Sequence, residues 1–164
     1  MAFSDFKTVE QVIQKYPLKI KRKKFLPDVK TELSELFMEN LTFSLETQAE
    51  NESEAFFCES FIFPFLHQVW KSHRKLKVWS HKSLRYDDEL YGEPDYFVAV
   101  SHEDKVIDRF VTMPVLAVAE AKKQDFEGGW AQCLAEMVAC QKINENENIT
   151  IYGIVSTGII WEFG

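Results

Sequence analysis

Residues Met113 to Lys123 read Met-Pro-Val-Leu-Ala-Val-Ala-Glu-Ala-Lys-Lys, and nothing polar interrupts them before Glu120. Successive side chains of a β-strand point to opposite faces, so a run that is apolar at both parities is apolar on both faces. A sheet with one face in water would expose half of this run. The sequence therefore demands a central strand with a packed layer on each side. The same periodicity points Glu120 and Lys122 to one face while Ala121 points away. An isolated carboxylate or ammonium buried there would cost several kcal/mol unless it is paired or bound to a metal. The end of this strand is the first place to look for chemistry.

The flanking segments supply the expected layers. Glu54 to Ser72 places Cys58, Phe61, Ile62, Phe65, Leu66 and Val69 at the spacing of an amphipathic helix. Ser53 is positioned to cap it, and Pro64 predicts a kink in its middle. At ~100° per residue, Phe61 and Phe65 fall about 20° either side of Glu54, whereas Glu59 falls about 140° away. Glu54 thus lies on the centre line of the apolar stripe. Lys75 to Ser80 alternates as a half-buried strand, with Leu76 and Val78 inward. A polar loop to Gly92 leads into Pro94-Asp95 and a strand to Val100, followed by a loop at Ser101–Lys105 and a return strand at Val106–Phe110. Gly128-Gly129 precedes a helix from Trp130 to about Gln141, whose Ala131, Ala135 and Ala139 suit close packing on a sheet. Ile149 to Phe163 reads as two strands joined at Ser156-Thr157-Gly158. A short helix is expected between Lys30 and Leu45, and a loop at Glu46–Ser53. The order helix, three strands, helix, two strands is that of an α/β or α+β layered domain.

Charge and cysteine content narrow the function classes. The 164 residues carry a net charge of −7, which speaks against a broad nucleic-acid-binding surface. The distribution is uneven. Residues 1–30 hold eight Lys/Arg against three Asp/Glu, leaving +5 there and −12 on the remainder. Lys19, Lys21, Arg22, Lys23 and Lys24 form the basic stretch, which reads as a solvated face or a phosphate contact. Cys58, Cys133 and Cys140 sit in apolar segments without ligand spacing, so buried reduced thiols are expected. His67, His73, His81 and His102 show no ligand spacing and read as surface residues. No apolar run approaches the ~20 residues of a membrane span, and the N-terminus lacks the apolar core of a signal peptide; a cytoplasmic protein is expected.

The pattern [DE]-x-K is common and selects nothing by itself. It occurs at Asp5/Lys7, Asp28/Lys30, Glu103/Lys105 and Glu120/Lys122, and of these the last terminates a buried strand. Asp95, opening its own strand after Pro94, can bring a second carboxylate. Two carboxylates with water and phosphate suit a hard cation such as Mg²⁺, and an adjacent lysine can orient water or balance phosphoryl charge. A structural ion pair is the rival account of Glu120 and Lys122.

The succession Ser-Glu-Ala…Ile-Phe-Pro-Phe-Leu, Gly-Glu-Pro-Asp-Tyr, Val-Ala-Glu-Ala-Lys-Lys and Gly-Gly-Trp-Ala-Gln resembles the PD-(D/E)XK, restriction-endonuclease-like nucleases. Its first segment is similar to the opening helix of the nuclease domain in type I restriction subunits. The resemblance implies a three-layer core with a central mixed β-sheet of about five strands flanked by α-helices. It covers a nuclease-like core at 51–164 and leaves residues 1–50 as a basic, helical extension. It assigns metal binding to Asp95 and Glu120, with the Ala121 carbonyl as a further ligand, and assistance of water attack to Lys122. It adds Glu54 as a supporting metal ligand, chosen over Glu59 for its place on the stripe, and Gln132 as a supporting polar residue. The implied cofactor is Mg²⁺ or Mn²⁺, the implied partner DNA, and a homodimer is among the assemblies such relatives form. The implied activity is phosphodiester hydrolysis, by an endonuclease. A nuclease-fold binding or assembly module without activity remains the alternative, and an acidic interaction protein the third.

Overall fold

The computed structural model describes residues 2–101 and 111–164. The return strand expected at Val106–Phe110, and the loop before it beyond Ser101, lie outside the described residues.

A 3-10 turn at Phe3–Asp5 precedes helix α1 (Val9–Lys15), which Thr8 and Gln11 open with a reciprocal capping box. Helix α2 (Glu35–Thr47) starts at the Ser34 cap, five residues later than the sequence pattern suggested, and contributes no buried residue. Ser53 caps α3 (Glu54–Phe57) by accepting from the Phe56 amide at 3.1 Å. A π-turn at Cys58–Ile62 then connects α3 to α4 (Phe63–Ser72). The expected kink at Pro64 is therefore a local widening of the helix just before the proline. Pro64 has no amide hydrogen, and its ring would collide with the carbonyl four residues back; the wider turn removes that conflict.

The strands are β1 (Leu76–Ser80), β2 (Leu84–Arg85), β3 (Tyr91–Gly92), β4 (Tyr96–Val100) and β5 (Val115–Ala121), and, after helix α5 (Phe126–Ile143), β6 (Tyr152–Ser156) and β7 (Trp161–Phe163). Five of them form one mixed sheet in the order β1-β4-β5-β6-β7, with β5 and β6 parallel and the other pairs antiparallel. β2 and β3 form a separate hairpin within what the sequence suggests is a plain loop. α5 begins at Phe126, four residues before the expected Trp130, because Asp125 caps it by accepting from the Gly128 amide at 2.9 Å.

β5 is central, as its composition requires. Val115 and Val118 join Phe97, Ala99 and Val155 in a cluster under Ala131, Ala135 and Ala139 of α5. Phe3, Phe6 and Val12 complete that cluster, so the first residues of the N-terminal extension are packed against the core. Ala119 and Ala121 face the other way, joining Cys58, Ile62, Val78 and Tyr96 under Phe63, Leu66 and Trp70. β1 departs from the half-solvated expectation: Val78 faces the α4 side, while Trp79 packs on the α5 side with its ring stacked on Phe97 at 6.2 Å. The protein is thus an α/β protein with a five-stranded mixed sheet packed against helices. Among the described residues no helix is long and apolar enough to cross a membrane. Cys58, Cys133 and Cys140 are free and buried, as expected.

Candidate functional site

The regular ladder between β4 and β5 ends at Tyr96 and Ala119, and one step further lie Asp95 and Glu120. There the strands exchange side-chain bonds in place of backbone ones. The Asp95 amide donates to Glu120 Oε1 at 3.3 Å, and the Ala121 amide donates to Asp95 Oδ2 at 2.8 Å. Lys122 Nζ donates to Glu120 Oε2 at 3.2 Å, while the Lys122 backbone amide stays in register with β6 by donating to Ser156 O at 2.9 Å. Three residues from two separate segments therefore meet at one end of the buried sheet. Ala121 meets Asp95 through its amide; the sequence-based expectation concerned its carbonyl.

Exposure separates the three. The Glu120 side chain is 0% exposed, whereas Lys122 is 20% and Asp95 19% exposed, so solvent reaches the group through the latter two. Burial, reinforced by the nearby Asp95 charge, pushes the Glu120 carboxyl up to about 7, against the opposing pull of Glu136 and Lys122. Burial acts to lower the Lys122 ammonium, but the attraction of Glu120, Glu54 and Asp95 overcomes it and holds the group above its ordinary value.

Behind Glu120 stands a residue that the sequence-based expectations missed. Glu136 on α5 is 0% exposed, and its Oε2 has no hydrogen-bond donor facing it. Burial, then the Glu120 charge, raises its carboxyl far above the ordinary carboxylate range. A neutral Glu136 carries a proton that it can donate to the neighbouring Glu120 carboxylate. Gln132 enters here: its Nε2 donates to Glu136 Oε1 at 3.3 Å, one helical turn along α5. Gln132 thus supports the group at second hand, through Glu136.

The open side of the group is a cavity of about 400 Å³ lined by Glu54, Glu59, Ser80, His81, Asp95 and Tyr96, among others. Glu120 and Lys122 do not line it. Glu54 and Glu59 both line it and both are exposed, so Glu59 lies off the buried stripe as its angle predicts, whereas Glu54 stands outside the stripe on which the angle had centred it. His81 is a second omission. The β1–β4 register pairs Ser80 with Tyr96, which sets His81 opposite Asp95. Its amide donates to the Asp95 carbonyl at 3.0 Å, and its Nδ1 lies 3.7 Å from Asp95 Oδ1. With φ of 47° it occupies the left-handed region, which a non-glycine residue seldom adopts. A larger hollow of about 510 Å³ lies at the far end of α5, between Tyr16, Leu18 and Lys142, and none of the candidate residues lines it.

The residues able to hold a hard cation are Asp95 and Glu120, and Glu54 lines the same cavity as Asp95. Two carboxylates face one ammonium, and their mutual repulsion helps to raise Glu120, so a divalent cation between them would supply missing positive charge. Among the described residues no three His, Cys, Asp or Glu side chains are grouped to hold a metal. Such an ion would complete its shell with water and substrate oxygens, as Mg²⁺ commonly does.

Fold and site together define an α/β protein with two carboxylates and a lysine converging at the end of its central strand. No family model, no curated protein and no solved structure matches the chain.

Proposed function

We propose that the protein is a metal-dependent nuclease hydrolysing phosphodiester bonds of DNA, built on a restriction-endonuclease-like core of the PD-(D/E)XK kind. The observation that carries this reading is the convergence of Asp95, Glu120 and Lys122 from two separate segments at one end of β4 and β5. A bound Mg²⁺ or Mn²⁺ would supply polarisation of a phosphoryl oxygen and acidification of water. Asp95 and Glu120 would hold that ion, and Glu54, which lines the same cavity as Asp95, would add negative charge near it. Lys122, kept charged by the surrounding carboxylates, would orient the attacking water and offset negative charge gathering on the phosphoryl group. Gln132 and Glu136 would hold Glu120 in place.

The test is cleavage of plasmid and single-stranded DNA with Mg²⁺ or Mn²⁺. Asp95→Ala, Glu120→Ala and Lys122→Ala should each abolish it, with circular dichroism unchanged. Any variant that cuts as well as the parent leaves its residue outside the mechanism. One observation favours a second reading, a binding or assembly module on the same core: the Glu120 side chain is completely covered, and both its oxygens already accept hydrogen bonds. Calorimetric titration with Mg²⁺ or Mn²⁺ separates the two. Heat of binding accompanied by cleavage supports the nuclease, and absence of both supports the module.

A further inference from the structure

Five of the 19 Lys and Arg residues of this acidic chain fall within six positions. Between α1 and α2 there is no helix, and Lys19, Lys21, Arg22, Lys23 and Lys24 lie exposed along a stretch without regular structure. Lys24 is paired with Asp28 at 3.0 Å. The other four make no ion pair or hydrogen bond among the described residues. Phe25, next in the chain, stacks on Tyr152 of β6 with ring centroids 6.5 Å apart, and both rings keep an exposed surface. Leu18, on the other side of the stretch, packs against the α5-side core. The basic strip is therefore fastened at both ends to the body of the protein.

We infer that Lys19, Lys21, Arg22 and Lys23 form the surface on which a nucleic-acid backbone lands; that the nucleic acid is DNA rests on the function proposed above. Residues outside 1–30 carry −12, so a polyanion is repelled by most of the protein and attracted at the strip. Unpaired lysine and arginine side chains can neutralise phosphates and release the cations condensed on the nucleic acid, and no internal ion pair has to break. The exposed Phe25–Tyr152 pair adds aromatic surface of the kind on which an unpaired base can stack. A membrane surface fits less well: interfacial binding by a basic segment usually uses an amphipathic helix, and this segment is not helical. The Phe25 anchor of the strip sits on β6, the neighbour of the strand that bears Glu120. Tyr152 pairs with Ala117, three residues before Glu120, so about 10 Å of strand at ~3.3 Å per residue separates the two levels. That length spans about six duplex charges at ~1.7 Å each.

The experiment is fluorescence anisotropy of a labelled duplex and a labelled single strand, in EDTA to prevent cleavage, across 50 to 200 mM salt. The parent is compared with the fourfold variant Lys19→Gln, Lys21→Gln, Arg22→Gln and Lys23→Gln. Four phosphate contacts correspond to a slope of about −3.6 in log K against log salt on duplex, roughly a 100-fold loss over that range. The variant should lose that slope while keeping the parent's circular dichroism and melting temperature. A variant with the parent's affinity and slope overturns the inference, and so does a parent that binds anionic lipid vesicles but not DNA. Cleavage with Mn²⁺, measured separately, keeps the two proposals apart. A parent that binds through the strip but never cuts upholds the surface and removes the nuclease. Cutting with a slope unaffected by the four substitutions does the reverse.

Discussion

Replacing Glu120 by glutamine should make the protein more stable above neutral pH and leave it nearly unchanged in mild acid. The side chain is fully covered, and burial together with Asp95 raises its carboxyl from an ordinary 4.5 to about 7. A shift of about 2.5 units at ~1.4 kcal/mol per unit amounts to roughly 3 kcal/mol of unfavourable energy in the ionised folded form. The sign follows from the direction. Because the folded value is raised, stability from this group is fully present below about 4.5 and is lost as pH rises through about 7. Glutamine matches the neutral acid in shape and never ionises, so it does not undergo that loss. Urea unfolding of the parent and of Glu120→Gln at pH 4.5, 6 and 8 measures the effect. The difference should grow from near zero to about 3 kcal/mol in favour of the glutamine variant. Adding Mg²⁺ at pH 8 should recover stability in the parent and not in the variant, because the ion would neutralise the charge that the burial disfavours. A difference that is flat with pH, or a variant weaker than the parent at pH 8, refutes the account of Glu120 as a strained buried carboxylate.

Other substitutions test the framework around the site. Gly129→Ala would place a methyl group 2.8 Å from both Lys122 Cγ and Val155 Cγ1. The crowding, about 1–3 kcal/mol, should outweigh the gain of up to ~1 kcal/mol from replacing a helical glycine, and thermal melting would record a net loss. Asp125→Ala removes the α5 cap and should cost about 1 kcal/mol in chemical denaturation. Cys58, pushed up to about 11 by burial and by Asp95, should resist alkylation at pH 8 in the folded protein and react once it is unfolded.

The parts of this structure that were legible in the sequence are those governed by short-range periodicity. Val115–Ala121 announced a strand buried on both faces, and Ala131, Ala135 and Ala139 announced a helix lying close to a sheet; both contacts are present. The meeting of Asp95 with Glu120 was also legible, because Asp95 opens its strand and Glu120 ends the apolar run of another, and antiparallel pairing brings those two ends together. Boundaries fared worse where a cap decides them, as at Asp125. Glu54 was misplaced on the buried stripe: it stands exposed in the first turn of α3, ahead of Cys58, Phe61 and Ile62, where the packing begins.

His81 and Glu136 show a different limit. Nothing near His81 in the chain marks it; its place opposite Asp95 comes wholly from the register of β1 on β4, a long-range pairing. Glu136 did carry a local signal. It stands three residues after Cys133 and four before Cys140, on a line of helix whose other members are completely buried. A carboxylate in that position must be neutral, paired or metal-bound, for the reason that first drew attention to Glu120. The two acids differ only in the element that bears them, and in the fold they meet. A site assembled by burying charge is therefore best sought by asking where an apolar stripe tolerates an acid, on helices as much as on strands.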